Sequence, residues 1–238
     1  MTTSLLNSLL RALLRWGAAL VFCLPLRHRS HFWGRACGML FPLLLLAQLL
    51  DPLAQSTTLW QQQLLLLVLY VSFFALLGGM IYLCTDINKK GAIYCAVWSL
   101  LIAQCAYEGW CYLELYFAKH GHPLNMASPW AVLVQLLSGT VFFAAVYLLL
   151  ARQLPYKGEY YIGPRQLLSS FFIGILFMVQ AAVLDNFRAE QFPQSLVATI
   201  LIGQFYFITL LYFQSELFKK SAMEKEMNAL NLLYERQR

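Results

Sequence analysis

Charge is what this sequence has least of. Only 12% of its 238 residues are Asp, Glu, Lys or Arg, about half the share of a soluble domain. Acids are scarcer than bases, 11 against 17. Histidine occurs four times and never after His122. No GxSxG, HExxH, P-loop or GxGxxG pattern is present, so the common hydrolase, zinc-protease, nucleotide and dinucleotide signatures are absent. The six cysteines form no CxxC and have no zinc-like Cys/His spacing. They read as small apolar residues inside apolar runs. No gap between those runs is long enough for a soluble domain.

What fills the chain instead is hydrocarbon: 60% of its residues are apolar. Seven apolar segments are expected as helices: about Leu13–Leu26, Cys37–Leu53, Leu59–Cys84, Ala92–Leu113, Trp130–Ala151, Leu167–Leu184 and Ser195–Phe213. The first has basic residues before an apolar core, as a signal peptide does. It runs into Arg27-His28-Arg29 with no small-residue cleavage site, so it reads as a retained span. It can also begin earlier as an amphipathic helix carrying Arg11 and Arg15 on one face. The fold class expected is therefore all-α: a polytopic helical membrane bundle with seven transmembrane helices, or six if the first segment lies flat on the inner surface.

Basic residues set the orientation, because positive charge stays on the cytoplasmic side at insertion. Arg27, Arg29, Arg35, Lys89, Lys90, Arg152, Lys157, Arg165 and the five bases after Phe218 occupy alternate gaps. The other gaps hold Arg11, Arg15, Lys119 and Arg188. Thirteen against four places the first set inside and, with seven spans, the N-terminus outside. The +6 net charge is thus topological and suggests no nucleic-acid partner. Trp33, Trp60, Trp110, Trp130, Tyr156, Tyr160 and Tyr161 lie near span ends, where interfacial anchoring is the ordinary reading.

Polar residues within spans carry what functional signal there is. Gln104, Glu108 and Cys111 follow i, i+4, i+7 on the fourth segment, giving it one polar face. With Glu114, His122, Asp185 and Arg188 they form a candidate outward-facing ligand mouth. The competing reading is interhelical hydrogen-bonding glue, which applies equally to Gln135, Gln180 and Gln204. Metal binding at His28/His31 or His120/His122 is the minor reading; a lipid contact and a solvated loop are the defaults. No metal site and no cofactor are expected in this chain.

The last fifth, from Pro193, passes from an apolar run through Lys219 and Lys220 into MEKEMNALNLLYERQR with no proline to stop a helix. Met223, Met227, Leu230 and Tyr234 step by 4, 3 and 4, the a/d pattern of a coiled-coil seam. No stop signal precedes Arg238, so the helix is expected to continue beyond it. Residues 1–218 read as the membrane bundle and 219–238 as the start of a cytoplasmic signalling and dimerisation helix.

LPLRHRSHFWGRA (Leu24–Ala36), the six or seven spans with tiny loops, and the exit helix EKEMNALNLLYERQR (Glu224–Arg238) together give a layout. It resembles the membrane sensor half of bacterial GHKL-type sensor histidine kinases, the group that includes the accessory-gene-regulator peptide receptors. The resemblance implies a homodimer in the cytoplasmic membrane, multi-pass, in contact with lipid. It implies an extracellular peptide or small ligand at the mouth, and a response regulator reached through a kinase region that this chain does not contain. With no histidine after His122 there is no phosphoacceptor, so no catalytic residue is carried over. A small polytopic transporter or permease subunit is the alternative reading.

Overall fold

In the computed structural model, residues 2–55, 59–121, 129–156, 158–160, 162–187 and 194–237 are described. They form seven α-helices: α1 Thr2–Cys23, α2 Phe32–Gln55, α3 Leu59–Cys84, α4 Lys89–Lys119, α5 Pro129–Val146, α6 Pro164–Phe187 and α7 Gln194–Gln237. A π-helical turn, Tyr147–Ala151, prolongs α5. Among the described residues there is no strand, only isolated bridges between His28 and Thr85 and between Tyr156 and Glu159. Helices α2, α3 and α5 with its π turn contain stretches long and apolar enough to cross a membrane: Phe32–Leu49, Leu64–Cys84 and Trp130–Ala151. Their outward faces carry large apolar side chains, among them Phe41, Leu64, Val141 and Leu149. A soluble monomer rarely exposes so much contiguous apolar surface, and these faces give the chain its membrane-protein character.

The helix the others pack around is α4. It contacts α1, α3, α5, α6 and α7, and nearly every residue from Gly91 to Glu108 is buried. Apolar residues run all the way round it, which suits a central helix better than a surface one. Its start is fixed locally. Asn88 caps it, its side-chain oxygen accepting from the Gly91 N–H at 2.7 Å. A Cβ on Gly91 would stand 2.5 Å from Ile87 Cδ1, so the cap closes tightly because that position is glycine.

Helix α1 lies along α4 and runs antiparallel to it: Arg11 meets Tyr107, and Phe22 meets Trp98 at 5.9 Å. The amphipathic face expected of α1 is present, but it is turned inward. Arg15 is only 5% exposed. Helices α6 and α7 pair antiparallel beside it, with Phe177 against Phe207 and Ser170 against Gln214. Gly174 lets α6 approach Val97 of α4, and Gly17 lets α1 approach Phe143 of α5.

The loops joining α1 to α2, α3 to α4 and α5 to α6 gather at one end with the point where α7 leaves the bundle. The Arg29 N–H donates to Cys84 O at 3.0 Å, and the Asp86 N–H to Arg27 O at 2.8 Å. Arg35 donates to Leu83 O at 2.8 Å. His28 stacks on Phe32 at 4.1 Å. The basic RHRSH segment is thus ordered by backbone pairing with Thr85 and Asp86.

Helix α7 is one uninterrupted 44-residue element. Its first half packs on α4 and α6; nearly every residue from Ser221 onward is exposed. Several boundaries differ from the sequence reading. Helix α2 starts at Phe32 and not near Cys37, and ends at Gln55; α1 starts at Thr2, as the earlier-starting alternative allows, and ends at Cys23 and not at Leu26. The first turn of α1, Thr2-Thr3-Ser4, is polar, and Gly34 and Arg35 separate Phe32 and Trp33 from the apolar run of α2, so neither start shows as apolar sequence.

Candidate functional site

Gln104, Glu108, Cys111 and Glu114 lie on α4, from its middle toward its C-terminal end. Gln104 and Glu108 come together: Gln104 Nε2 donates to Glu108 Oε1 at 2.9 Å, with both side chains buried. Gln104 and Glu108 bond within α4, where Glu108 is 1% exposed, and adjoin a polar seam that α1 and α4 form through Arg11 and Tyr107. Arg11 Nη2 donates to the Tyr107 hydroxyl at 2.7 Å, and its guanidinium lies 4.5 Å from that ring's centroid. The Arg15 guanidinium sits 3.9 Å over Phe73 and 5.8 Å from Tyr70. Arg11, Arg15, Tyr107 and Glu108 all have interaction partners. Two cations held on aromatic faces and hydrogen bonds, beside a buried carboxylate, are how a bundle tolerates charge away from water. The Arg11–Tyr107 bond joins α1 to α4, as interhelical glue does, whereas Gln104 and Glu108 bond within one helix.

Glu114 lies one residue beyond the fourth apolar run and is half-buried; burial raises its carboxyl above the ordinary value. Asp185 falls in α6 near its end, but its side chain lies outside what is described. His122 and Arg188 also lie outside the described residues. Met223, Met227, Leu230 and Tyr234 stand exposed along one side of the second half of α7. Gln180 reaches toward Gly203, its Nε2 lying 3.3 Å from where a Cβ would be, and Gln204 is buried in α7.

Two interfacial anchors were misread. Trp33, Trp60 and Trp130 are well exposed, as anchors are, but Trp110 and Tyr160 are each 4% exposed. Proximity to a span end does not say which way a ring faces. Trp110 faces inward because α1, α5 and α7 surround the C-terminal half of α4. Tyr160 packs against Tyr94 at 5.7 Å, and burial pushes its phenol well above the usual range.

Two further arrangements had no clear sequence signal. Beside the seam, α1, α4, α5 and α7 enclose an apolar cavity of about 250 Å³, walled by Trp110, Gln135, Ser138, Phe142 and Phe205 among others. At the opposite end, the loop from α5 to α6 holds α7 where it leaves the bundle. Lys219 Nζ donates to Gln153 O at 3.1 Å, and the Tyr156 hydroxyl donates to Glu226 Oε2 at 2.6 Å. Just above this collar, Gln214 bonds Ser169, and Ser170 donates to Gln166 O at 2.7 Å. Among the described residues, no three His, Cys, Asp or Glu side chains cluster as metal ligands would.

The fold and these contacts define a helical bundle of membrane-protein character whose last helix projects from it. No known protein family, no curated protein and no solved structure matches the chain.

Proposed function

We propose that this chain is the membrane input module of a GHKL-type sensor histidine kinase, relaying an extracellular small molecule or peptide through α7. The observation that carries this reading is the continuity of α7. One helix is packed on α4 and α6 over its first half and largely exposed over its second, where the α5–α6 loop holds it at Lys219 and Glu226. A shift or rotation imposed on the packed half must move the second half, because the helix has no break to absorb it. The collar at Lys219 and Tyr156 sits where such a movement would be gated.

In this reading seven helices cross a cytoplasmic membrane with the N-terminus outside. The end that gathers the Arg27–Arg35, Lys89–Lys90 and Arg152–Arg165 gaps faces the cytosol, in keeping with its excess of positive charge. The antiparallel run of α1 along α4 supports a spanning first helix over one lying flat. The exposed Met223, Met227, Leu230 and Tyr234 stripe is the seam of a homodimer, two copies meeting as a coiled coil. The response regulator is reached through a kinase region joined to this rod.

The test is rotational phasing. One to four alanines are inserted between Lys220 and Ser221 of the kinase-bearing protein, and autophosphorylation is measured in membranes. Each inserted residue turns the downstream rod by about 100°. The expected output rises and falls with the helical period, with the four-residue insertion nearest the parent. Output that is indifferent to insertion length, or no autophosphorylation in any protein of the series, overturns the reading.

A further inference from the structure

Two arginines, one from the loop before α2 and one from its first turn, are held on the last turn of α3. Arg35 Nη1 donates to Leu83 O at 2.8 Å. The Arg29 guanidinium lies 5.0 Å from the centroid of the neighbouring Tyr82 ring and pairs loosely with Asp86 at 3.8 Å. The Arg29 backbone is tied to Cys84, so this arrangement is fixed at both ends.

Arg35 has the more demanding position. It is exposed, and it lies three residues inside the apolar stretch Phe32–Leu49, about 4.5 Å at helical rise. Trp33, exposed two residues earlier, suits the headgroup level of a bilayer. A guanidinium carries five N–H donors. The Leu83 carbonyl takes one, and among the described residues no carboxylate pairs with Arg35. A cation at that depth is best placed against an anion of the bilayer itself.

The surroundings narrow the ligand. Backbone bonds from Arg29 to Cys84 and from Asp86 to Arg27 join the α1–α2 and α3–α4 loops. The joined segments bring together Arg27, Arg29, Arg35, Lys89 and Lys90 against a single acid, Asp86. The planar fork of an arginine matches the paired oxygens of a phosphodiester. A headgroup that also carries an ammonium would set it against this excess of positive charge, so a headgroup with no cation fits better. Along the rest of α2 and α3 the outer faces are apolar and exposed, at Phe41 and Leu49 and at Leu64, Val68 and Val71. Acyl chains find their surface there.

We propose that Arg35 and Arg29 hold the phosphodiester of an anionic phospholipid, phosphatidylglycerol, whose acyl chains lie on the outer faces of α2 and α3. The claim concerns binding alone and stands whether or not α7 relays a signal.

The purified full chain in uncharged detergent is titrated with phosphatidylglycerol and, separately, with phosphatidylcholine of the same chains. Retained lipid is counted by native mass spectrometry. Phosphatidylglycerol should be retained at a concentration about tenfold lower than phosphatidylcholine. R35Q and R29Q should each weaken its retention by about fivefold, the worth of one basic side chain at an anionic headgroup. R35K, which keeps the charge but not the fork, should fall between R35Q and the parent. R152Q, in the α5–α6 loop at the same end of the bundle, should bind as the parent does. Inorganic phosphate and glycerophosphoglycerol at the lipid's concentration should not displace it; displacement by either would mark a site for soluble anions and overturn the proposal. Equal retention of phosphatidylcholine, an R35Q protein that binds like the parent, or an R152Q protein weakened as much as R35Q would each overturn it too. Should R35Q lose its helical circular dichroism, R35K and the headgroup series on the unsubstituted protein decide.

Discussion

At Glu108 two substitutions separate a closed seam from an open mouth. E108Q keeps an oxygen that can accept from Gln104 Nε2, and E108L does not. With the acceptor gone, a buried amide donor is stranded, so E108L should lower stability by about 2 kcal/mol. E108Q should cost clearly less. Unfolding of both in detergent checks this; an E108L protein as stable as the parent would move Glu108 out of the seam and back toward a ligand mouth. The i, i+4 spacing of Gln104 and Glu108 made their contact legible in the sequence. What the spacing could not supply was the partner face. Arg11 and Arg15 looked like the wet side of an amphipathic helix, and only the packing of α1 on Tyr107, Phe73 and Tyr70 turns them inward. The same gap hid Trp110, whose depth depends on three neighbouring helices and not on its place along its own.

Among the elements, the α5–α6 loop holds α7 by two contacts far apart in sequence, Lys219 to Gln153 and Tyr156 to Glu226. Both are exposed and so individually weak. Y156F removes one of them without altering the helix. Amide exchange across residues 219–230 should quicken by roughly threefold to tenfold in Y156F, the worth of one modest hydrogen bond, while exchange in α4 stays as it was. Unchanged exchange at 219–230 would mean the loop does not restrain the rod. The helices themselves were largely readable: apolar runs located all seven, and the absence of proline after Pro193 foretold the length of α7. Long-range loop contacts leave no local pattern, since Tyr156 and Glu226 are 70 residues apart. The choice of α4 as the central helix was also concealed. Apolar content on most sides of α4 was its sign of burial.

For the whole molecule, the account depends on a bundle and a projecting rod being one mechanical body joined through α7. A ruler set along that helix tests it most directly. Spin labels are placed at Ile202 and Leu232, both exposed, after serine replaces Cys37 and Cys111, the cysteines not buried. The distance between them is then measured by pulsed electron resonance in spin-diluted protein. An unbroken helix predicts a single narrow distribution near 45 Å, thirty residues at 1.5 Å each. A broad distribution, or one centred well short of that distance, would show a hinge between bundle and rod and contradict the account.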